Sequence, residues 1–241
     1  MADTIERQLS IVVPAFDEER RIGPTLARLL SYARRLADFE ILVVDDGSRD
    51  RTREAVREIA GGEPALRLIS LPENHGKGAA VRRGMLEARL PLVLFTDADL
   101  STPIEDVERL FEAIDRAEVA IGSRALPGSQ IEVRQPFYRE WMGRGFNQIV
   151  QRAALPGIHD SQCGFKLFRA GAAREIFGRA KLDGFAFDVE ALFLCQKLGY
   201  AVVEVPVRWR NDRASKVHPL LDALRMARDL AAIRALHRKV S

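Results

Sequence analysis

The sequence predicts an α/β fold, built on a mainly parallel, Rossmann-like sheet with helices on both faces and an elaborated C-terminal half. Strand-like and helix-like segments alternate from residue 9 to residue 124. The strand-like segments are nearly continuous apolar runs, which is typical of parallel strands that are buried on both faces. The 241 residues, of which 47% are hydrophobic, are also enough to bury the core of one large domain.

The first half of the chain is predicted to contain five strands and four helices. The strands are rich in β-branched residues, and the helices carry apolar residues at helical spacing between serine, glycine or proline signals. The predicted strands are residues 9–16, 39–46, 66–71, 91–99 and 118–124. The predicted helices are residues 18–37, 48–62, 76–89 and 101–117.

The second half alternates less regularly. We expect a mobile loop at 126–136, an amphipathic helix at 137–155, a turn and strand at 160–169, a helix at 187–199, a strand at 200–209 and a helix after His218. No internal repeat or linker divides the sequence, which predicts a single domain over residues 1–241.

Composition excludes several classes of protein. The net charge of +3 gives no footprint for nucleic-acid binding, although the arginines between residues 124 and 152 and the basic residues after 216 could meet phosphates, an anionic membrane surface or only solvent. Cys163 and Cys195 lack metal-like spacing, which favours a reduced, cytoplasmic compartment. Neither a signal peptide nor an apolar run of about 18 residues is recognisable, so we expect no transmembrane segment and at most peripheral membrane contact.

Polar motifs follow four of the predicted strands, at residues 14–19, 45–46, 74–77 and 97–99. In "LFTDADLSTP", Asp97 and Asp99 come directly after an apolar run and would share one face if the strand continued. Such a pair can hold Mg²⁺ or Mn²⁺, or Asp99 and its neighbours can simply cap the next helix. Ligands of parallel α/β sheets bind beyond the carboxyl ends of the strands, so the position favours a binding site.

Two further strand ends carry candidate ligand groups. Asp45 and Asp46 could accept hydrogen bonds from a ribose or a base, or could form a turn into the next helix. In "NHGKG", residues 74–78, amides at a helix start favour a phosphate and Lys77 adds a cation. The spacings of a P-loop and of a dinucleotide-binding GxGxxG motif are both absent.

In this order, the motifs "VVPAFDEE", "VVDDGSRDRT", "NHGKGAAVRRGM", "TDADLSTP", "GSR", "DSQCGFKLF", "FDVE" and "VPVRW…SK" resemble the family 2 glycosyltransferases, which have the A-type glycosyltransferase fold. Within that family, the sequence looks most like the dolichyl-phosphate β-glucosyltransferase group and its bacterial polyprenyl-phosphate relatives. The resemblance extends over residues 8–240. It implies a nucleotide-binding half (8–124), an acceptor-side half (125–217) and a C-terminal helix (218–241).

The resemblance also implies roles for individual residues. Nucleotide-binding roles fall on Pro14, Phe16, Glu18, Asp45, Asp46, Lys77 and Asp97. The metal motif is Asp97 with Asp99, and related mannosyl transferases often have a glutamine where this sequence has Ser101. The residue before Glu18 is usually asparagine and is Asp17 here.

Catalytic roles fall on Asp188, Arg124 and Lys216. The sugar and acceptor side would be lined by Gln162, Arg210 and Ser215, with Arg210, Ser215 and Lys216 in a loop that closes over the phosphates.

The function implied by the resemblance is an inverting, metal-dependent transfer of a hexose onto a polyprenyl or dolichyl phosphate. Glucose from UDP-glucose is the favoured donor, with Mg²⁺ or Mn²⁺ as cofactor, at the cytoplasmic face of a membrane. Two alternatives stay open at this stage. The enzyme could use GDP-mannose, another donor or a soluble acceptor, or the chain could bind sugar nucleotides without turnover.

Overall fold

The computed structural model describes residues 5–133, 154–210, 229 and 232–238. The strands are β1 (Ile5–Ala15), β2 (Leu36–Asp45), β3 (Leu66–Ser70), β4 (Leu92–Thr96), β5 (Val119–Ser123), β6 (Gln130–Val133), β7 (Phe165–Arg169), β8 (Val202–Pro206) and β9 (Arg208–Arg210). The helices are α1 (Ile22–Ala33), α2 (Thr52–Ala60), α3 (Lys77–Glu87), α4 (Val107–Ile114), α5 (Ala170–Arg179) and α6 (Phe187–Lys197). A 3₁₀ turn, Ile104–Asp106, precedes α4, and residues 232–236 are helical.

Seven strands form one sheet in the order β3-β2-β1-β4-β7-β5-β8. Only β7 runs antiparallel to its neighbours, β4 and β5, and all other pairs in this sheet are parallel. The chain proceeds from β1 to β3 on one side and then crosses to β4 on the other, which leaves a crevice beyond the carboxyl ends of β1 and β4. The predicted α/β class with a mainly parallel sheet is confirmed.

Helices cover both faces of this sheet, as predicted. Successive side chains of a strand point to opposite faces, and Ile11 and Val13 of β1 join one apolar cluster while Val12 joins the other. The first cluster is completed by α1, α2 and α4, and the second by α3, α5 and α6. None of the helices in the described ranges is long and apolar enough to cross a membrane.

Several predictions for the second half of the chain were wrong. Residues 130–133, expected in a mobile loop, form β6, which pairs with β9 in a separate two-stranded parallel sheet. The strand expected at 200–209 is interrupted at Val207, so that β8 stays in the main sheet and β9 leaves it. Helix α5 was not predicted. The helix expected at 137–155 lies almost wholly outside the described residues, as does most of the segment after His218.

Candidate functional site

A cleft of about 390 Å³ opens at the carboxyl ends of β1, β2 and β4, beside the start of α3. Seven of the residues predicted from the sequence line it: Pro14, Phe16, Glu18, Asp46, Lys77, Asp97 and Asp99. Arg21 and Phe185 line it as well and were not predicted. Arg21 follows Glu18 by three residues, a spacing that places two side chains together at a helix start, and its guanidinium binds that carboxylate at 2.6 Å.

The loops after β1 and β2 are joined by side chains. Asp17 has a positive φ of 53°, a conformation that asparagine and aspartate tolerate better than other residues with side chains. Its amide donates to Ser48 Oγ at 2.9 Å, and its Oδ1 accepts from the amide of Arg49 at 2.8 Å. The amide of Glu18 donates to Thr52 Oγ1 at 2.7 Å. Asp17 therefore ties the loop after β1 to the loop after β2 through both its main chain and its side chain.

The two adjacent aspartates after β2 have different surroundings. Asp45 is fully buried, pairs with Arg53 Nε at 2.9 Å and does not line the cleft. Asp46 lines the cleft and accepts hydrogen bonds from the amides of His75 and Gly76 at 2.9 and 2.8 Å. Burial raises the pKa of Asp46, although these two amides oppose the shift. Of the pair, only Asp46 is placed where a ligand in the cleft could reach it.

The start of α3 does not offer free amides in the way that the sequence suggested. The amides of Gly78 and Ala79 donate to the carbonyl oxygen of Asp183 at 2.7 and 3.3 Å. Those of His75 and Gly76 donate to Asp46. These four donors are already used within the protein, so they are not the exposed amides on which the expected phosphate contact depended. Asn74, Gly76 and Lys77 of this motif line the cleft, and Lys77 brings a positive charge to it.

Asp97 and Asp99 both line the cleft, but they do not lie on a continuing strand. The strand β4 ends at Thr96, and the amide of Leu100, with φ of 45°, donates to the carbonyl oxygen of Asp97 at 3.1 Å in a turn. Asp99 Oδ1 accepts from the amide of Ser101 at 2.9 Å. This contact closes a local turn and is not the helix cap considered for Asp99, because the next helical segment begins at Ile104 and has no side-chain cap.

The ammonium group of Lys77 lies between carboxylates and aromatic rings. Its Nζ is 2.7 Å from Asp97 Oδ1, 5.3 Å from the ring centroid of Phe95 and 6.0 Å from that of Phe187. Burial alone lowers the pKa of Lys77, but the neighbouring charges of Asp97 and Asp188 outweigh it and the net direction is upward. Lys77 is therefore a charged cation in contact with the predicted metal motif.

The site fits a hard divalent cation that takes two carboxylates from the protein. Burial and the charge of Asp97 raise the pKa of Asp99, so a nearby cation would relieve the repulsion between the pair. Gly164 leaves room for Asp97, since a Cβ at this glycine would lie 2.0 Å from Asp97 Oδ2. Within the described residues no group of three or more His, Cys, Asp or Glu side chains could hold a metal. Mg²⁺ commonly uses one or two carboxylates and completes its shell with phosphates and water.

A second ion pair, which is almost fully buried, lies next to this centre. Lys166 of β7 pairs with Asp188 of α6, both are almost fully buried, and Lys166 Nζ also donates to the carbonyl oxygen of Cys163 at 2.6 Å. Burial raises the pKa of Asp188, while Lys166 and Lys77 act in the opposite direction. Asp188 was predicted to be catalytic. It lies within electrostatic reach of Lys77 but does not line the cleft.

Arg124 is held by Asp160, whose importance was not predicted. Arg124 Nε and Nη2 donate to the two carboxylate oxygens of Asp160 at 2.7 and 2.8 Å, and the Arg124 guanidinium lies 5.4 Å from the Trp209 ring centroid. Burial tends to raise the pKa of Asp160, but the Arg124 charge prevails and lowers it. A bidentate pair fixes the plane of the guanidinium.

The other residues predicted on the acceptor side are only partly described. The amide of Gln162 donates to Asp160 Oδ1 at 3.2 Å, and that of Arg210 donates to the carbonyl oxygen of Ser101 at 2.9 Å. These residues, like Arg124, do not line the cleft as the structure describes it. Ser215 and Lys216 lie outside the described residues.

Comparison with known proteins identifies the family. The model of glycosyl transferase family 2 matches residues 10–177, which include every cleft residue named above except Phe185. The chain belongs to the family 2 glycosyltransferases. This confirms the family predicted from the sequence motifs and, with it, the prediction that the chain is a glycosyltransferase.

Curated relatives extend the similarity to nearly the whole chain of this family 2 glycosyltransferase. The dolichyl-phosphate beta-glucosyltransferase ALG5C of Trichomonas vaginalis is 39% identical over 237 residues, which is 93% of this chain and 70% of that protein. The dolichyl-phosphate beta-glucosyltransferase of Homo sapiens is 35% identical over 247 residues, which is 96% of this chain and 76% of that protein.

Solved structures confirm the A-type fold. The glucosyl-3-phosphoglycerate synthase of Mycobacterium tuberculosis has a TM-score of 0.68 at 20% identity, covering 95% of this chain and 80% of its own. A structure of that synthase in complex with Mn²⁺ and uridine-diphosphate-glucose has a TM-score of 0.66 at 17% identity, covering 95% and 79%. At these identities the likeness establishes the fold alone.

Proposed function

We propose that this family 2 glycosyltransferase inverts the anomeric centre of UDP-glucose and transfers glucose to a polyprenyl or dolichyl phosphate, assisted by Mg²⁺ or Mn²⁺. The observation that carries the proposal is the identity of 34–39% with dolichyl-phosphate beta-glucosyltransferases, spread over at least 93% of the chain. The cleft supports it, because a pair of carboxylates and a lysine lie where a nucleotide diphosphate would bind.

The donor would occupy the cleft. Asp46 and Glu18 offer carboxylates to the nucleoside, and Phe16 offers an aromatic face. Asp97 and Asp99 would hold the cation, which when bound stabilises the negative charge of the departing diphosphate. Lys77, 2.7 Å from Asp97, supplies a second positive charge at the same place, and such fixed charges act most strongly in the transition state.

The acceptor would approach from the side of Arg124. A phosphate oxygen of the lipid attacks the anomeric carbon of glucose, and the bond from that carbon to the diphosphate oxygen breaks with UDP as the leaving group. The attacking oxygen is already an anion at neutral pH, so no strong general base is needed. Asp188, which is buried and paired with Lys166, then orients its neighbours and need not accept a proton. We expect the reaction at a membrane surface, with the protein bound peripherally.

The test is a transfer assay with labelled sugar nucleotides, including UDP-glucose and GDP-mannose, and a polyprenyl phosphate in detergent. We expect label to reach the lipid from UDP-glucose only when Mg²⁺ or Mn²⁺ is present, and a chelator to stop it. Asp99→Asn should remove most of the activity, whereas Asp115→Asn, an exposed carboxylate paired with Arg7, should retain it.

Two outcomes would contradict the proposal in different ways. Transfer to water-soluble acceptors alone would exclude the lipid phosphate. Binding of UDP-glucose without transfer or hydrolysis, for every acceptor and cation, would indicate a module that binds sugar nucleotides and has no catalytic activity.

A further inference from the structure

The segment between α5 and α6, residues 180–186, contributes Phe185 to the lining of the cleft and supports the start of α3. The carbonyl oxygen of Asp183 accepts from the amides of Gly78 and Ala79, and Asp183 Oδ1 accepts from Arg82 Nη2 at 2.6 Å. The contact is close, since a Cβ at Gly78 would lie 2.5 Å from the carbonyl oxygen of Leu182. The first turn of α3, which carries Lys77 into the cleft, therefore rests on this segment.

One buried carboxylate holds the segment in place. Glu190 of α6 is fully buried, and its Oε2 accepts from the amide of Leu182 at 2.8 Å. The amide of Lys181 donates to the same carboxylate, 3.0 Å from Oε1 and 3.1 Å from Oε2. A buried carboxylate is tolerated only when its oxygens are satisfied, and here backbone amides of the segment 180–186 satisfy them.

The remaining partner of Glu190 comes from the C-terminal end of the described chain. His237 Nε2 lies 2.6 Å from Glu190 Oε1, and the two side chains are 1% and 0% exposed. The helical residues before His237 are anchored as well, because Ile233 is fully buried in the cluster that contains α3, α5 and α6. The Glu190 carboxylate thus connects residues 232–238 with the segment 180–186, beside a longer contact of 3.5 Å from Lys181 Nζ to the carbonyl oxygen of Leu236. None of residues 232–238 lines the cleft itself.

We propose that Glu190 and His237 are positioning residues for the donor site. The pair fixes the segment 180–186, the segment fixes the first turn of α3, and that turn fixes Lys77 against Asp97. The C-terminal helical stretch is therefore part of the donor-binding architecture. The identity of the ligand rests on the proposed function, but the positioning of α3 does not.

The experiment compares Glu190→Gln and His237→Phe with a matched control, Glu40→Gln. Glu40 is also a buried carboxylate that accepts a backbone amide, from Arg89 at 2.7 Å, and pairs with a basic side chain, Arg67 at 3.0 Å. It lies five residues before the end of β2, roughly 16 Å from the cleft edge by strand rise. Comparable losses of thermal stability are expected for the two glutamines.

Hydrogen exchange and calorimetry separate positioning from general destabilisation. We expect the amides of Gly78 and Ala79 to exchange about tenfold faster in both the Glu190 and the His237 variants, and affinity for UDP to fall by about the same factor. The Michaelis constant for the lipid acceptor should stay unchanged, and Glu40→Gln should match the wild type in exchange at these amides and in UDP affinity.

The proposal is overturned if these amides keep their protection in either folded variant, or if all three variants lose UDP affinity equally. Faster exchange in a protein whose wild-type form binds no UDP would support the positioning of α3 and refute the proposed donor, so the two failures are distinguishable.

Discussion

Replacing Gly164 by alanine is a selective way to displace the candidate metal ligand Asp97. A Cβ at Gly164 would lie 2.0 Å from Asp97 Oδ2, 2.4 Å from Cγ and 2.8 Å from Oδ1. The backbone cannot easily separate the two residues, because the amide of Asp97 donates to the carbonyl oxygen of Gly164 at 3.2 Å. The carboxylate must therefore move while the backbone stays in place.

The size of the displacement sets the expected effect. An unstrained contact between such atoms needs about 3.5 Å, so the carboxylate must shift by roughly 1.5 Å. A misplacement of about 1 Å can reduce catalysis about 100-fold, and we expect a loss of at least that size. The loss of folding stability should be small, about 1 kcal/mol or less from the weakened pair with Lys77, because both side chains are partly exposed.

The measurements are the rate of glucosyl transfer, Mn²⁺ binding in the presence of UDP by electron paramagnetic resonance, and the thermal midpoint. Gly171→Ala is the control, because this exposed glycine in α5 has no atom within 4 Å of an added Cβ. The control should keep full activity. Wild-type Mn²⁺ affinity and turnover in Gly164→Ala would refute the assignment of Asp97 to the cation.

Three further outcomes are expected. Lys77→Met should bind Mn²⁺ roughly fivefold more tightly in the absence of nucleotide, because the positive charge that competes for Asp97 is gone. The same variant should bind UDP more weakly. An unchanged Mn²⁺ affinity in a titration followed by electron paramagnetic resonance would contradict this. Arg124→Lys keeps the charge but loses the bidentate contact with Asp160, so the Michaelis constant for lipid phosphate should rise while UDP affinity by calorimetry stays the same. Gly84→Ala places a Cβ 2.3 Å from Val12 Cγ1 in the core, and denaturant unfolding should show a loss of about 1–3 kcal/mol; an unchanged midpoint would show that α3 can move away from the sheet.

The first half of the fold was predictable because local pattern and tertiary environment agree there. Apolar runs such as "LVLF" are buried on both faces, and their length and flanking turn residues define the strands. The acidic residues that follow the strands lie at one edge of the sheet, because the carboxyl ends of parallel strands are all at the same edge. Asp46 and Lys77 could therefore be placed in one cleft without coordinates.

The features that were not predicted from the sequence depend on contacts between residues that are distant in sequence. The pairing of β6 with β9 joins residues almost 80 positions apart, and a short segment such as "QIEV" carries no sign of it. The same holds for the amides at the start of α3, which looked free until Asp183 was found to accept from them. Asp160 was overlooked because only its geometry toward Arg124 distinguishes it from a turn residue.

The charges of the site explain how two protein carboxylates could suffice for a cation. Asp97, Asp99 and Asp188 face the ammonium groups of Lys77 and Lys166, so three negative charges meet two positive ones. A dication arriving alone would have to compete with Lys77 for Asp97. A diphosphate arriving alone would meet the charge of Asp99. If the two bound together, Lys77 would be placed to pair with the diphosphate while Asp97 and Asp99 held the cation, and the diphosphate oxygens would complete its ligands. Ser101, where related mannosyl transferases often have a glutamine, contacts Asp99 through its amide at 2.9 Å.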